Sequence, residues 1–176
     1  MSKFGERCAR VRLLILDVDG VLTDGRLLFD AKGQESKSFH VRDGHGIRLL
    51  QDCGIEVALI TARHSQSLAH RAHDLGIQRV YQGSVDKIVA YTELLFATKL
   101  DEEEIAYMGD DLIDLAILSR VGLAAAPADA HPEVRARVHW VAQRSGGMGA
   151  VRELSEEVLR AQGHWDTILA RALGRA

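Results

Sequence analysis

The chain has 176 residues, 47% hydrophobic and 27% charged, proportions that suit one folded globular domain and exclude a disordered chain or a small disulfide scaffold. Lys and Arg number 22 against 25 Asp and Glu, for a net charge of -3, so no broad basic field draws the chain onto nucleic acid or an anionic membrane. The cysteines are Cys8 and Cys53, no run of about 18 apolar residues occurs, and the charged start MSKFGERCARVR lacks the apolar centre of a signal peptide. Two reduced thiols, no membrane segment and a cytoplasmic location are expected.

Residues 11–18 (VRLLILDV) form a β-branched and leucine-rich run that breaks into Asp-Gly, the pattern of a buried central strand ending in a turn. RLLFD, the turn AKGQ at 31–34 and SKSFHV predict two short strands joined by a polar loop, a hairpin over about residues 25–41 that projects from the main sheet. GIRLLQDC spaces its apolar residues as a helix does and stops at Gly54, before the strand EVALIT. The alternation continues through a helix at 65–75 ending at Gly76, strand RVYQ, a helix at 85–95, strand IAYMGD, a helix at 112–119 and strand GLAAA. VHWVA at 138–142 is a candidate last strand and 149–161 a closing helix, and the tail at 162–176 carries Trp165, Ile168, Leu169 and Leu173 at helical spacing. Strands alternating with helices across short loops predict an α/β fold, a parallel sheet covered on both faces, in a single domain over residues 1–176. No segment is long enough to form a second, capping domain over the sheet.

Ligands bind such sheets beyond the carboxyl ends of the strands, so the residues there are the first candidates for a site. Asp17 and Asp19 follow the first strand, Thr61 follows VALI, Lys87 opens a helix, and Gly109-Asp110-Asp111 with Asp114 follows IAYM. Singly, each suits ordinary turn or cap chemistry; four such elements in order, all at strand ends or helix starts, point to one crevice. Asp17, Asp19 and Asp110 brought together would resist joint ionisation unless a hard divalent cation such as Mg²⁺ shared them. A carboxylate beside such a metal can attack phosphorus, which makes Asp17 the candidate nucleophile. Asp19 is the candidate general acid and base. Thr61 would offer its hydroxyl and backbone N–H to a phosphoryl oxygen, and Lys87 a compact positive charge. Asp110 would complete the metal shell, with Asp111 and Asp114 orienting waters and Lys87 from behind.

DVDGVLT, Thr61, Lys87 and GDDLIDL resemble the four motifs of the haloacid dehalogenase superfamily of phosphatases, and the resemblance covers nearly the whole chain. It implies a Rossmann-like core, Mg²⁺ held by the side chains of Asp17 and Asp110 and the backbone carbonyl of Asp19, and an aspartyl-phosphate intermediate. DVDGVLTDG, FHVRDGHGIRLL, VYQGSVDKI, ADAHP and GGMGAVRE are similar to the capless subfamily that acts on 3-deoxy-D-manno-octulosonate 8-phosphate in lipopolysaccharide precursor synthesis. That likeness implies a homotetramer whose active sites are covered by neighbouring subunits. It also implies substrate contacts from Asp19, Lys87, Arg48, Arg63, Arg71 and the stretch His40, Val41, Arg42, Asp43 and Gly44. Arg63 favours the eight-carbon sugar acid, since relatives acting on nine-carbon keto-sugar acids can carry an acidic residue there. Ala62 stands where the family has glycine.

On a monomer, Leu27, Leu28 and Phe29 of the hairpin would be conspicuously apolar, which suits burial between subunits. His70 and His73 lie three apart on one helix without a third ligand and are set aside as a metal pair. Two other readings remain: a phosphatase for a nine-carbon sialic-acid-type phosphate, and a phospho-acceptor signalling module. A receiver of the second kind has no acid two residues beyond its phosphorylated aspartate, whereas Asp19 occupies that place here.

Overall fold

The computed structural model describes residues 2–175. Helix α1 (Lys3–Arg10) leads into strand β1 (Leu13–Leu16), followed by the short strands β2 (Leu28–Phe29) and β3 (Glu35–Ser36). Then come α2 (Val41–Asp52), β4 (Glu56–Ile60), α3 (Gln66–Asp74), β5 (Arg79–Tyr81), α4 (Lys87–Thr98) and β6 (Ile105–Met108). The chain continues through α5 (Leu115–Leu118), β7 (Leu123–Ala126), α6 (Pro132–Arg135), β8 (Trp140–Val141), α7 (Ala150–Ala161) and α8 (Trp165–Ala172).

Six strands form a parallel sheet in the order β5-β4-β1-β6-β7-β8, with β1 between β4 and β6. Strands buried on both faces read as continuous apolar runs, and LLIL is one. Successive side chains alternate between faces. Leu14 and Leu16 join Ile47 and Leu50 of α2, Leu68 of α3 and Val151 and Leu154 of α7 on one side. Leu13 and Ile15 join Tyr91 and Leu94 of α4 and Ile117 of α5 on the other. Parallel strands require crossovers, so each helix runs back beneath the sheet and the strands all end at the same edge.

Several elements depart from the sequence reading, among them α6, which it did not contain, and α4, which runs to Thr98. The hairpin's second strand is confined to Glu35–Ser36, and the expected extension through SKSFHV gives way at Val41, which already opens α2. Residues 112–119 begin as a 3₁₀ turn, Leu112–Asp114, and become α-helical only at Leu115. The charged start of the chain, read only as lacking a signal, is α1; its Ser2 side chain caps Gly5 N–H and Cys8 is buried against the core. α1 carries charge on the remaining turns, which hid its narrow apolar face from a reading by apolar spacing. No helix among the described residues is long and apolar enough to cross a membrane.

Candidate active site

The register of the sheet assembles the site. Leu16 is paired with Leu59 on one side and Met108 on the other, so Asp17, Thr61 and Asp110 all emerge within a residue or two of the same edge. Asp17 N–H still bonds to the Met108 carbonyl at 3.0 Å, which anchors the residue before the chain leaves the sheet. The turn that follows is held by Thr23, whose hydroxyl oxygen accepts from Gly25 N–H at 3.2 Å. Gly20 has φ +93°, and a Cβ there would overlap the Asp110 carboxylate, so glycine serves both the backbone conformation and the close approach of the two loops. Gly146 meets the same loop from the far side: a Cβ on it would overlap the Gly20 carbonyl.

Lys87 is the first residue of α4, with its Nζ 2.7 Å from Asp17 Oδ1 and 2.7 Å from Asp114 Oδ1. Its side chain is 1% exposed, and those of Asp17 and Asp114 are 7% and 0% exposed. Such burial is tolerable only because each charge meets an opposite one and the remaining lone pairs are bonded. Asp114 satisfies that condition fully: Oδ1 also accepts the Tyr107 hydroxyl at 2.5 Å, while Oδ2 accepts the backbone N–H groups of Asp110 at 3.0 Å and Asp111 at 3.2 Å. Asp114 therefore holds Lys87 and the Asp110 loop in place and has no oxygen to spare.

Ligand oxygens of Asp17, Asp110 and Asp114 lie within 4.8 Å of one another. Three carboxyls thus crowd a single ammonium. Burial and the charge of Asp114 push Asp17 up to about 6 against the pull of Lys87. Asp110 is pushed up to about 8 by burial, then by the charges of Asp17 and Asp114 and a hydrogen bond shared with Asp17. Burial pulls the Lys87 ammonium down, but the adjacent carboxylates outweigh it and the net shift is upward. A surplus of buried oxygen charge of this kind suits a hard cation. With Asp114 saturated, the side chains of Asp17 and Asp110 are the ones that fit it. The Asp19 carboxylate stands outside the trio and is paired with Lys37.

Other expected site residues are placed differently. Thr61 is buried at the end of β4, but its N–H is already bonded to the Tyr81 carbonyl at 2.9 Å, continuing the sheet ladder. Only its hydroxyl remains to donate, which corrects the expected use of both groups. Asp111 caps the 3₁₀ turn by accepting Leu112 N–H at 2.7 Å. Both oxygens of Asp43 are committed to the start of α7, accepting from Gly149 N–H at 3.2 Å and Arg152 N–H at 2.8 Å, so this carboxylate serves as that helix's cap. Arg48 donates to the Asp74 carbonyl at 2.5 Å, at the C-terminal end of α3 and hence at the opposite edge of the sheet. Arg71 lies against Gly44 and over the Phe39 ring at 5.9 Å. Arg63 pairs with Glu35 of the hairpin at 2.5 Å, and Val41 and Arg42 are exposed on the first turn of α2 beside half-buried His40. Sequence reasoning missed Tyr107, Glu35 and Lys37. Their signal was faint: Tyr107 looks like any core aromatic, and only the spacing of two between Glu35, Lys37 and Phe39 places those charges on the inward face of an extended run.

The haloacid dehalogenase-like hydrolase family profile matches residues 76–153. The 3-deoxy-D-manno-octulosonate 8-phosphate phosphatase of Yersinia pestis is 50% identical over 157 residues, 89% of this chain and 84% of that protein. The Escherichia coli K12 enzyme of the same name is 46% identical, over 91% of this chain and 85% of its own. The Moraxella catarrhalis enzyme, solved in complex with magnesium, phosphate and KDO, superposes with a TM-score of 0.95 at 35% identity, covering 97% of this chain and 98% of that one.

The raised carboxyls set a pH dependence. A carboxyl whose folded value lies above its unfolded one favours the folded state at low pH, and that contribution is lost as pH rises through the folded value. In metal-free protein, Asp110 should therefore lower stability progressively between pH 3.8 and about 8. Urea unfolding in chelator across that range should show the decline, and Asp110→Asn should flatten it; identical pH profiles for the two proteins would refute the assignment.

Proposed function

We propose a function from the premise that this chain belongs to the 3-deoxy-D-manno-octulosonate 8-phosphate phosphatase family of the haloacid dehalogenase-like hydrolases: it hydrolyses that sugar-acid phosphate to 3-deoxy-D-manno-octulosonate and phosphate. The observation that carries the reading is the buried Asp17 carboxylate, held by Lys87 and facing Asp110 at the sheet edge.

Asp17 attacks the phosphorus, the bond to the sugar oxygen breaks, and the leaving alkoxide takes a proton from Asp19. Asp19 then accepts a proton from water as that water attacks phosphorus, and Asp17 departs as a free carboxylate. The Thr61 hydroxyl donates to a phosphoryl oxygen, and Lys87 balances charge as it moves between Asp17 and the phosphoryl group. The side chains of Asp17 and Asp110 and the Asp19 carbonyl would hold Mg²⁺, which when bound supplies charge neutralisation for the transferring phosphoryl oxygens. Arg63, Arg71 and the His40–Gly44 stretch recognise the sugar acid in this reading, the guanidinium groups meeting its carboxylate and hydroxyls.

The same reading makes the enzyme a homotetramer with sites completed by neighbouring copies. Leu27, Leu28 and Phe29 are 48%, 66% and 52% exposed, an apolar stretch along the hairpin's first strand that association would remove from water. Leu28→Glu should dissociate the assembly in sedimentation experiments; a wild-type chain that sediments as a monomer at micromolar concentration would contradict it.

With Mg²⁺ present, kcat/KM should favour the eight-carbon over the nine-carbon sugar-acid phosphate, and the reverse preference would overturn the substrate. Asp17→Asn should lower kcat by about 10⁴-fold or more, the scale on which removal of a covalent nucleophile acts, while the variant still folds and unfolds in one cooperative transition, at a lowered midpoint because Lys87 keeps only Asp114 as its partner. Near-normal turnover in that variant would exclude covalent catalysis at Asp17.

A further inference from the structure

The hairpin β2–β3 is exposed along most of its length, and one part of it is not. From Glu35 to Phe39 alternate residues turn inward, and the Lys37 side chain is 2% exposed. Its ammonium is hydrogen-bonded to Asp19 Oδ1 and lies 3.0 Å from Glu35 Oε1. Glu35 Oε2 in turn receives the Arg63 guanidinium at 2.5 Å, with the Glu35 side chain 13% exposed. The Arg63 guanidinium is the chief reason the Glu35 carboxyl is held below its usual range. Four alternating charges therefore run from the loop after β4, across the hairpin, to Asp19. Burying an ammonium with no partner is costly, and Asp19 and Glu35 supply what Lys37 needs. The hairpin thus brings a deeply buried ammonium to Asp19, two residues beyond the nucleophile.

We propose that Lys37 is a positioning residue of the phosphatase reaction: it holds Asp19 by Oδ1 so that the other carboxylate oxygen faces the leaving group and the attacking water, with Glu35 and Arg63 fixing Lys37 in turn. This inference rests on the role given to Asp19 above. A carboxylic acid delivers its proton efficiently only along the right line to the departing oxygen. An unanchored Asp19 would swing about its side-chain torsions and lose that alignment, with phosphate binding by Lys87 and Thr61 untouched. In the first step the proton passes from Asp19 to the sugar oxygen as its bond to phosphorus breaks and the bond to Asp17 forms. An aryl leaving group such as p-nitrophenolate departs without that proton, and this distinguishes alignment of the acid from general damage.

The test compares kcat/KM, which reports the first phosphoryl transfer, on the sugar-acid phosphate and on p-nitrophenyl phosphate, using the full chain with Mg²⁺. Lys37→Met should lower the value about 100-fold on the sugar phosphate, at the lower end of what general acid catalysis contributes, and less than about 5-fold on the aryl phosphate. Lys37→Arg, which keeps the charge and a donor, should recover most of the loss. Asp19→Asn serves as the control. If Asp19→Asn slows both substrates equally, the acid role of Asp19 fails and this inference falls with it. If Asp19→Asn discriminates between the substrates and Lys37→Met does not, the inference about Lys37 alone is wrong. Should Lys37→Met lose its cooperative unfolding transition, Glu35→Gln carries the same comparison: a smaller loss confined to the sugar phosphate and seen in kcat supports the chain of charges, whereas a loss seen only in KM, which would report disturbed recognition by Arg63, or equal losses on both substrates overturn it.

Discussion

The site is organised around one buried ammonium. Lys87 sits at the start of α4 between Asp17 and Asp114, with water almost wholly excluded from all three side chains. An ammonium there would be untenable with no carboxylate partner, and either carboxylate would be pushed toward its neutral form without the ammonium. The interaction consequently ties three parts of the chain to a common position: the end of β1, the start of α4 and the turn after β6. Asp114 extends the arrangement through its other oxygen, which receives two backbone N–H groups and so shapes the loop that presents Asp110. Tyr107, donating from within β6, completes the set from the sheet itself.

Much of this could be read from the chain before any coordinates. Parallel strands announce themselves as short apolar runs, and residues just past them share one edge whatever the details of packing. Asp17, Thr61, Lys87 and Asp110 were found in that way, because their placement depends on local strand and helix boundaries. What escaped depends on which distant elements touch. Asp43 is expected among the substrate contacts, yet caps a helix more than a hundred residues later. Arg48 is expected there too, yet donates to the carbonyl of Asp74 at the end of α3. Lys37 is one of two lysines in the hairpin, and only the folding back of that hairpin over the β1 loop brings it to Asp19.

The hairpin gives the fold its particular character. Its inner face reaches Asp19 through Lys37 while Leu27, Leu28 and Phe29 along its first strand are exposed. One short element thus pairs with Asp19 on one side and presents exposed apolar side chains on the other. The loop bearing Gly146 packs so tightly on the Gly20 turn that Gly146 has no room for a side chain, while Gly20 itself is hemmed in by the Asp110 carboxylate. Rigid support from both directions suits a site whose nucleophile must stay ionised and aimed.

The central claim is that Asp17 carries the phosphoryl group during turnover, and the most direct measurement is its capture. Asp19→Asn protein mixed with p-nitrophenyl phosphate and Mg²⁺, quenched in acid within the first turnover and digested, should yield a phosphorylated peptide spanning Asp17, because that leaving group needs no proton from Asp19 while loss of the general base slows release of the group to water. The account predicts that mass on the Asp17 peptide and its absence when Asp17 is also replaced by Asn. A phosphoryl group found on another residue, or substrate turned over with no phosphorylated peptide at any time, would contradict it.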